Sequence, residues 1–276
     1  MLLSIEAEEK SGKSTLALTA PLPIVCFSFD LGTDRAIYGT KYEEWFKGLD
    51  ICRVPYDIAR VPSTWEGNDI TIYELPRPIQ LDQELLVGFE ELWNYFILLC
   101  SRALMDKAVS TIVIDTMTLC RRIKCDAYLQ ELQEENIKKG QRPRKQLLQI
   151  EYGHPNDSIR NIYDLAVGMG KNLVATHHLT DEYKPFMKSD GSTESMPTGV
   201  RLLEGLTGTY RYQDVAVRNS KVKNVITTKL EICGYNLGLE GMTIPDPSWD
   251  KIADLVSGSL GGRVSIQRRD SNGIGK

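Results

Sequence analysis

Short apolar runs alternate along the chain with longer segments whose apolar residues recur at helical spacing. A short apolar run between polar turn residues indicates a buried strand, and apolar residues at i, i+3 and i+4 over a longer window indicate a helix. Strands that alternate with helices are typical of an α/β fold with a mostly parallel central sheet flanked by helices. The predicted strands are a run beginning at Leu2 and residues 24–29, 51–54, 70–74, 110–116 and 172–176.

The longest helical pattern covers residues 82–105. Its apolar residues fall at helical spacing, and we assign them to the hydrophobic core rather than to a cofactor site. These residues are Leu85, Leu86, Phe89, Leu92, Trp93, Phe96 and Leu99. The other predicted helices include residues 16–18, 119–138, 155–169 and 249–256.

The C-terminal part of the chain has a different pattern. Residues 212–217 and 224–232 predict two strands of a hairpin or meander, an antiparallel extension that completes the sheet. We expect residues 1–235 to form the core domain and residues 236–257 to close the same domain. Residues 258–276 are rich in Gly and Ser and carry several arginines, which predicts a disordered basic tail.

The composition is typical of a soluble globular protein. Of the 276 residues, 42% are hydrophobic and 25% are charged. A chain of this length can bury the core of one large domain. The formal net charge of -4 gives no global sign of nucleic-acid binding, so such binding must come from local basic patches. The six cysteines are scattered and form no CxxC pair, which favours buried reduced thiols over a disulfide framework or a zinc site.

The sequence also bears on the location of the protein. The N-terminus lacks the basic segment and long apolar core of a secretory signal, and no apolar stretch reaches membrane-spanning length. We therefore expect a soluble cytoplasmic protein with no membrane partner.

One stretch predicts a phosphate site. The first strand runs into EAEEKSGKST, residues 6–15, and the chain continues into a helix. Lys13 would reach the β- and γ-phosphates of ATP, and the Ser14 hydroxyl would ligate Mg²⁺. The backbone N–H groups of such a loop wrap the phosphates. The candidate nucleotide contacts are Glu8, Glu9, Lys10, Ser11, Gly12, Lys13, Ser14 and Thr15.

The motif departs from the pattern GxxxxGK[ST] at one position, where Ala7 replaces the first glycine. Ala lacks the backbone freedom of Gly. The alternative interpretation is an ordinary helix N-terminus capped by Ser11 or Ser14. The position of the motif between a strand and a helix favours the phosphate loop.

Two carboxylates lie at the ends of predicted strands. Asp30 follows the second strand, and Asp115 closes the apolar part of residues 110–116. Ligands gather at the carboxyl ends of strands in open α/β sheets, so we expect both side chains near Lys13. Asp115 would then hold Mg²⁺ together with Ser14. For Asp30, a local role as a helix or turn cap is the alternative.

A histidine pair, His177 and His178, follows the strand predicted at residues 172–176. The two residues are adjacent and have no third ligand nearby, which argues against zinc. At a strand end beside Asp115, one of them could donate a hydrogen bond to the γ-phosphate and report its presence to the next loop. Capping of that loop is the alternative.

Two segments are candidates for contact with nucleic acid. The basic loop KKGQRPRK at residues 138–145 has five Lys or Arg residues and no acidic residue, although a solvated surface is the alternative. The long loop at residues 179–201 interleaves aromatic residues with lysines, which suits stacking on unpaired bases. The candidates are Lys138, Lys139, Arg142, Arg144 and Lys145 in the first segment and Tyr183, Lys184, Phe186 and Lys188 in the second.

In this order the motifs resemble those of the RecA-like P-loop ATPases, and most closely the compact phage members related to Sak-type single-strand annealing and AAA-domain ATP-binding proteins. The likeness covers residues 1–235. It is carried by EAEEKSGKST, CFSFDLGTDRAIYG, STIVIDTMTL and NLVATHHLTDEY. Thr116 after Asp115 resembles the RecA pattern of a small hydroxyl residue, whereas AAA+ machines usually have Glu there.

The resemblance implies a RecA-like core that uses ATP and Mg²⁺. It gives Asp30 the place of the water-activating carboxylate, where the family usually has Glu, and it gives His178 the place of the γ-phosphate sensor. It also implies binding to single-stranded DNA and a homo-oligomeric ring or filament in which a neighbouring subunit supplies a cation. Candidate donors of that cation are Arg218, Lys223 and Lys229, and a single-stranded DNA-binding protein is a further candidate partner.

We therefore expect an ATP-binding and ATP-hydrolysing protein that binds single-stranded DNA in phage recombination or replication. Two alternatives remain. In the first, ATP regulates assembly and hydrolysis is vestigial, which Ala7 and Asp30 favour. In the second, the ATPase moves or packages duplex nucleic acid.

Overall fold

The computed structural model describes residues 1–80, 84–187, 192–206 and 208–269. Its strands are β1 (Leu2–Ala7), β2 (Ile24–Ser28), β3 (Ile51–Val54), β4 (Ile70–Glu74), β5 (Thr111–Asp115), β6 (Asn172–His177), β7 (Leu179–Met187), β8 (Thr193–Leu203), β9 (Val215–Val222), β10 (Val225–Cys233) and β11 (Thr243–Pro245). Its helices are α1 (Lys13–Ala17), α2 (Thr33–Ile37), α3 (Phe89–Met105), α4 (Met117–Lys138), α5 (Gly153–Gly168) and α6 (Trp249–Ser259).

One large sheet has the strand order β11-β10-β9-β1-β6-β5-β2-β4-β3. All neighbours from β9 to β3 in this order are parallel. Strands β10 and β11 are added antiparallel at the other edge. The predicted α/β fold, with a mostly parallel sheet and an antiparallel C-terminal extension, is confirmed. The central strands are short apolar runs because helices cover both of their faces.

Alternate residues of each central strand contribute to two separate cores. In β5, Ile112 and Ile114 pack with α3, α4 and α5, whereas Val113 packs on the opposite face with α1 and α6. This division follows from the two-residue period of a strand. The residue that ends each strand therefore presents its side chain to one defined face at the carboxyl edge of the sheet.

The aromatic residues predicted for the core are buried in α3, but this helix begins later than its sequence pattern indicates. Gly88, with φ 84°, is the N-cap, and the helix starts at Phe89. Leu85, which was assigned to the core, is 39% exposed. The predicted start at residue 82 lies outside the described residues.

Helix α4 runs antiparallel to α3. The Gln130 side chain accepts a hydrogen bond from the Phe89 N–H at the start of α3 (3.0 Å), and the Lys124 amino group lies 5.4 Å from the ring centroid of Trp93, one turn further along. Helix α3 ends shortly before β5 begins, so α3 runs antiparallel to the parallel strands. Helix α4 runs antiparallel to α3 and therefore in the same direction as the strands. Because α4 has 22 residues and spans about 33 Å, the basic loop at residues 138–145 lies beyond the carboxyl ends of the strands.

The segment predicted as a long loop is a β-hairpin. Strands β7 and β8 pair antiparallel in a sheet of their own, with a register irregularity between Asp181 and Tyr183. Most of their side chains are exposed on both faces. An exposed ribbon lacks the alternation of apolar and polar residues that marks a strand packed on a core, which explains why the sequence pattern did not predict it.

The predicted tail differs from the structure. Trp249 of α6 is fully buried, and its indole N–H donates to the Gln267 carbonyl (2.7 Å). Ile266 is buried in the same core, and the Arg269 guanidinium donates to the Leu18 carbonyl (3.0 Å). Residues 258–269 are therefore folded against the domain, while the rest of the predicted tail, 270–276, lies outside the described residues. No described helix is long and apolar enough to cross a membrane.

Candidate functional site

The loop between β1 and α1 leads directly into the helix that begins at Lys13. Gly12 is the N-cap of α1 in the left-handed region, and no side chain caps this helix, which excludes the alternative of a serine-capped N-terminus. Lys13 is buried, and its amino group donates to the carbonyls of Ala7 (3.2 Å) and Glu8 (3.1 Å). Burial lowers the pKa of Lys13, an effect that the nearby Asp115 opposes.

Ala7 fits its position without strain. It is the last residue of β1, fully buried, and is not among the non-glycine residues with positive φ. The positive φ in this loop falls on Lys10 (57°) and Gly12 (77°). Positive φ is the conformation that favours glycine, so the backbone at Ala7 does not require a glycine.

The carboxylate of Asp115 lies at the centre of the site. It is fully buried, and it accepts hydrogen bonds from the hydroxyls of Ser14 (2.6 Å) and Thr176 (2.5 Å). Burial, reinforced by Asp30, raises the pKa of Asp115 to about 6. Thr176 was not identified from the sequence, although a hydroxyl near the end of an otherwise apolar strand was a usable signal.

These oxygens suit a hard divalent cation. Mg²⁺ is usually held by one or two carboxylates, with water and substrate phosphates completing its shell. Ser14 and Asp115 supply a hydroxyl and a carboxylate at one point beside the phosphate loop. In the described part of the chain no group of three or more His, Cys, Asp or Glu could hold a metal.

The two adjacent histidines point to opposite faces of the sheet. His178 is half-buried and lines the cavity beside Lys13, and its pKa is lowered by burial and by the charge of Lys13. His177 is buried on the other face, where burial lowers its pKa to about 3 and its ring nitrogens have no hydrogen-bond partner among the described residues. Of the two, His178 is therefore the one placed to meet a phosphate.

Asp30 lies beside the cavity and also takes part in a local turn. It is exposed at the end of β2 and lines the same cavity as Lys13. Its Oδ1 also accepts a hydrogen bond from the N–H of Gly32 (3.0 Å), and Gly32 is the N-cap residue of α2.

A cavity of about 700 Å³, within the range of small-molecule sites, is lined by Lys13, Asp30 and His178. Residues 39–42 and residues of β9, β10 and the turn between them also line it. The lining consists of residues 9–15, Asp30, Gly32, Arg35, Ala36, Gly39, Thr40, Lys41, Tyr42, His178, Lys221, Asn224 and Ile226.

Gly12 packs directly against Ile226 of β10. With φ 77°, a Cβ added to Gly12 would lie 2.1 Å from Cδ1 of Ile226. We expect Gly12→Ala to lower the free energy of unfolding by about 2 to 3 kcal/mol, since it adds a clash to backbone strain. The matched control is Gly48→Ala, with φ 80° and open space around it, which should cost about 1 kcal/mol. Equal costs in urea unfolding would contradict the packing argument.

A second polar cluster, missed by sequence reasoning, lies on the other face of the sheet. The fully buried Glu6 accepts hydrogen bonds from Tyr210 and from the Arg218 guanidinium (2.9 Å), which also contacts Glu231 (3.7 Å). A charged residue inside an apolar strand was the available signal. Arg218 is thus engaged within its own chain, which makes it a poor donor of a cation to a neighbouring subunit.

The other two candidate donors differ in their surroundings. Lys229 contacts Glu231 at 3.3 Å. Lys223 lies in the turn between β9 and β10, with φ 55°.

The predicted DNA-binding residues lie in two places. On the hairpin, Tyr183 and Phe186 are each 57% exposed, and Lys184 is exposed beside Glu182. Lys188 lies outside the described residues.

In the basic loop, Lys138, Lys139, Arg142 and Lys145 are exposed. The Arg144 guanidinium instead makes two hydrogen bonds to Glu151 (2.7 and 2.8 Å), so it is already occupied.

Comparisons with known proteins give weak likenesses. No family model matches the chain, and no curated protein matches it. Among solved structures, RadB recombinase is similar at 11% identity and a TM-score of 0.42, over 88% of this chain and 85% of the other. The KaiC-like protein PH0186 from Pyrococcus horikoshii OT3 is similar at 10% identity and a TM-score of 0.41, over 88% and 83%. Similarities with so low an identity and TM-score carry no argument about function. Function is therefore argued from the geometry of the site.

Proposed function

We propose that this protein binds and hydrolyses ATP with Mg²⁺ as a RecA-like ATPase, and that it acts on single-stranded DNA in phage recombination or replication, including strand annealing. The hydrogen bond from Ser14 to the buried Asp115 carries the first part of the proposal. Ser14 follows Lys13, and Asp115 ends the buried strand β5. A metal–nucleotide site requires a hydroxyl and a carboxylate that are paired in this way.

The residues of the site divide the chemistry among them. Ser14 and Asp115 would hold Mg²⁺, which offsets phosphate charge when bound. Lys13 would exchange its two carbonyl partners for the β- and γ-phosphates. Asp30 would orient or deprotonate the attacking water, and His178 would contact the γ-phosphate. Because Asp is shorter than the usual Glu, we expect slow hydrolysis.

The hairpin supports the proposed contact with single-stranded DNA. It begins directly after His178 and exposes aromatic and basic side chains on a ribbon that is separate from the main sheet. Stacking of bases on aromatic rings tolerates any sequence, and lysines attract the phosphate backbone. The basic loop at residues 138–145 lies on the same carboxyl side of the sheet and would add to this surface.

An oligomer is the proposed working form. The phosphate site opens to solvent, so a neighbouring subunit could supply a cation to it, and Lys223 in the β9–β10 turn is the candidate on this chain. A ring or filament would also align several hairpins along one strand of DNA. A single-stranded DNA-binding protein is a further proposed partner.

A second candidate function is a nucleotide-binding regulatory or assembly protein with vestigial hydrolysis. The observation that favours it is the hydrogen bond from Gly32 to Asp30, which engages the proposed water-activating carboxylate in a local turn.

Replacement of Lys13 by Ala tests the proposal. We expect the steady-state ATPase of the wild type to rise with single-stranded DNA and to fall about a hundredfold or more in Lys13→Ala, because an aimed positive charge on the phosphates is lost. Lys47→Ala, on the surface beside Glu44, is the control. Lys13-dependent ATP binding without turnover would favour the regulatory function, and stimulation by duplex DNA alone would favour a translocating or packaging ATPase.

A further inference from the structure

The proposed phosphate loop carries two glutamates as well as Lys10 and Lys13. Glu8 and Glu9 lie within it, and the buried Asp115 lies behind it. Sites for phosphate normally present N–H groups and cations, since a nearby carboxylate repels the ligand. A cation that pairs with one of these carboxylates would therefore favour nucleotide binding.

Arg201 of β8 supplies such a charge to Glu8. Its guanidinium lies 3.1 Å from Oε2 of Glu8 and 3.3 Å from Oδ1 of Asp181, and it donates to the Leu179 carbonyl (3.2 Å). Asp181 and Arg201 are register partners at the base of the hairpin. One guanidinium therefore connects the phosphate loop to both strands of the hairpin.

Glu8 is also linked to the phosphate-binding lysine. Its backbone carbonyl accepts a hydrogen bond from Lys13 (3.1 Å), while its side chain is held by Arg201. The cavity wall formed by the described residues includes Glu9 but neither Glu8 nor Arg201. Arg201 is thus placed to act on the loop and not on the ligand.

We infer that Arg201 is a positioning residue for the phosphate loop: it neutralises and holds Glu8, raises the affinity of the loop for phosphates, and makes that affinity depend on the base of the hairpin. This inference deepens the proposed nucleotide binding and rests on it. By thermodynamic linkage, a nucleotide bound in the loop strengthens the contact between Arg201 and Glu8 by the same free energy.

The effect is expected to be modest and dependent on salt. The side chains of Arg201 and Glu8 are 39% and 55% exposed, and solvent weakens such pairs. We therefore expect Arg201→Ala to weaken the binding of a fluorescent ATP analogue about two- to fivefold at low ionic strength, and less at high ionic strength.

A double-mutant cycle separates this role from direct contact with phosphate. Glu8→Gln removes the charge that Arg201 compensates, so Arg201→Ala should have no further effect in the Glu8→Gln background. Arg201→Lys should retain most of the affinity. The matched control is Arg122→Ala, which breaks the surface pair with Glu204 (2.9 Å) just after β8 and should leave affinity unchanged.

Three results would overturn the inference. An equal loss of affinity from Arg201→Ala in both backgrounds would mean that Arg201 touches the phosphates. Lys13-dependent binding that Arg201→Ala leaves unchanged at low salt would overturn this inference alone. Binding that does not depend on Lys13 would overturn the proposed function and this inference with it.

Discussion

Replacing Asp115 with Asn is expected to stabilise the ligand-free protein while it abolishes magnesium-dependent ATP hydrolysis. The folded state raises the pKa of this buried carboxyl from 3.8 to about 6, so above pH 6 the folded chain holds an unfavourable charge. Asn removes that charge and can still accept from Ser14. We expect the free energy of unfolding at pH 8 to rise by about 2 to 3 kcal/mol.

The difference in the free energy of unfolding between the wild type and Asp115→Asn is expected to depend on pH. Well below pH 3.8 the carboxyl is protonated in both the folded and the unfolded chain, so wild type and variant should be equally stable. As the pH rises towards 6, the unfolded chain releases its proton first, and the wild type loses stability that the variant keeps. Urea unfolding at several pH values without nucleotide or Mg²⁺ measures the difference.

A matched control is Asp246→Asn. Hydrogen bonds from Lys41 and Tyr42, each 2.6 Å long, lower the pKa of Asp246, so removal of its charge should not stabilise the protein. If Asp115→Asn destabilised the chain at pH 8, or kept wild-type ATPase activity with Mg²⁺, the assignment of Asp115 as an uncompensated metal carboxylate would be wrong.

Shortening the hairpin is expected to remove DNA binding and to leave the domain folded. Asp181 and Arg201 are paired across β7 and β8, so an Asn-Gly turn can replace residues 182–200 and keep the contact of Arg201 with Glu8. The hairpin forms a sheet of its own, so the main sheet loses no strand. Affinity for single-stranded DNA should fall at least tenfold, because stacking contributes about 1 to 3 kcal/mol per base.

ATP affinity and the midpoint of thermal unfolding should stay close to those of the wild type. Filter binding across a salt series measures the DNA term, and Tyr183→Ala with Phe186→Ala is the smaller change that should reproduce much of the loss. Unchanged DNA affinity in the shortened chain would exclude the hairpin and leave the basic loop at residues 138–145 as the candidate surface.

The proximity of Lys13, Asp115 and His178 could be predicted because burial leaves a simple pattern in the sequence. A central strand covered on both faces must be a short apolar run, so a polar residue at its end, such as Asp115 or His178, is conspicuous. The choice between His177 and His178 needed the strand register, because residues one apart face opposite sides of the sheet.

The features that sequence did not predict depend on long-range contacts. The hairpin is exposed on both faces, so no alternation of apolar and polar residues marks its strands. Residues 258–269 are rich in Gly and Arg, and contacts with residues distant in the sequence, such as those of Ile266 with the core and of Arg269 with Leu18, hold them against the domain. In the sequence Arg144 belongs to a basic patch, but the fold places its side chain beside Glu151.

The order of side chains at the end of β6 limits how this chain can vary. Thr176 meets Asp115, His177 packs on the opposite face, His178 enters the cavity, and Leu179 begins the hairpin. Deleting or inserting one residue here would exchange the faces of all that follow. Length changes are far better tolerated between β7 and β8, which makes that connection the place to insert a fluorescent tag or a purification peptide.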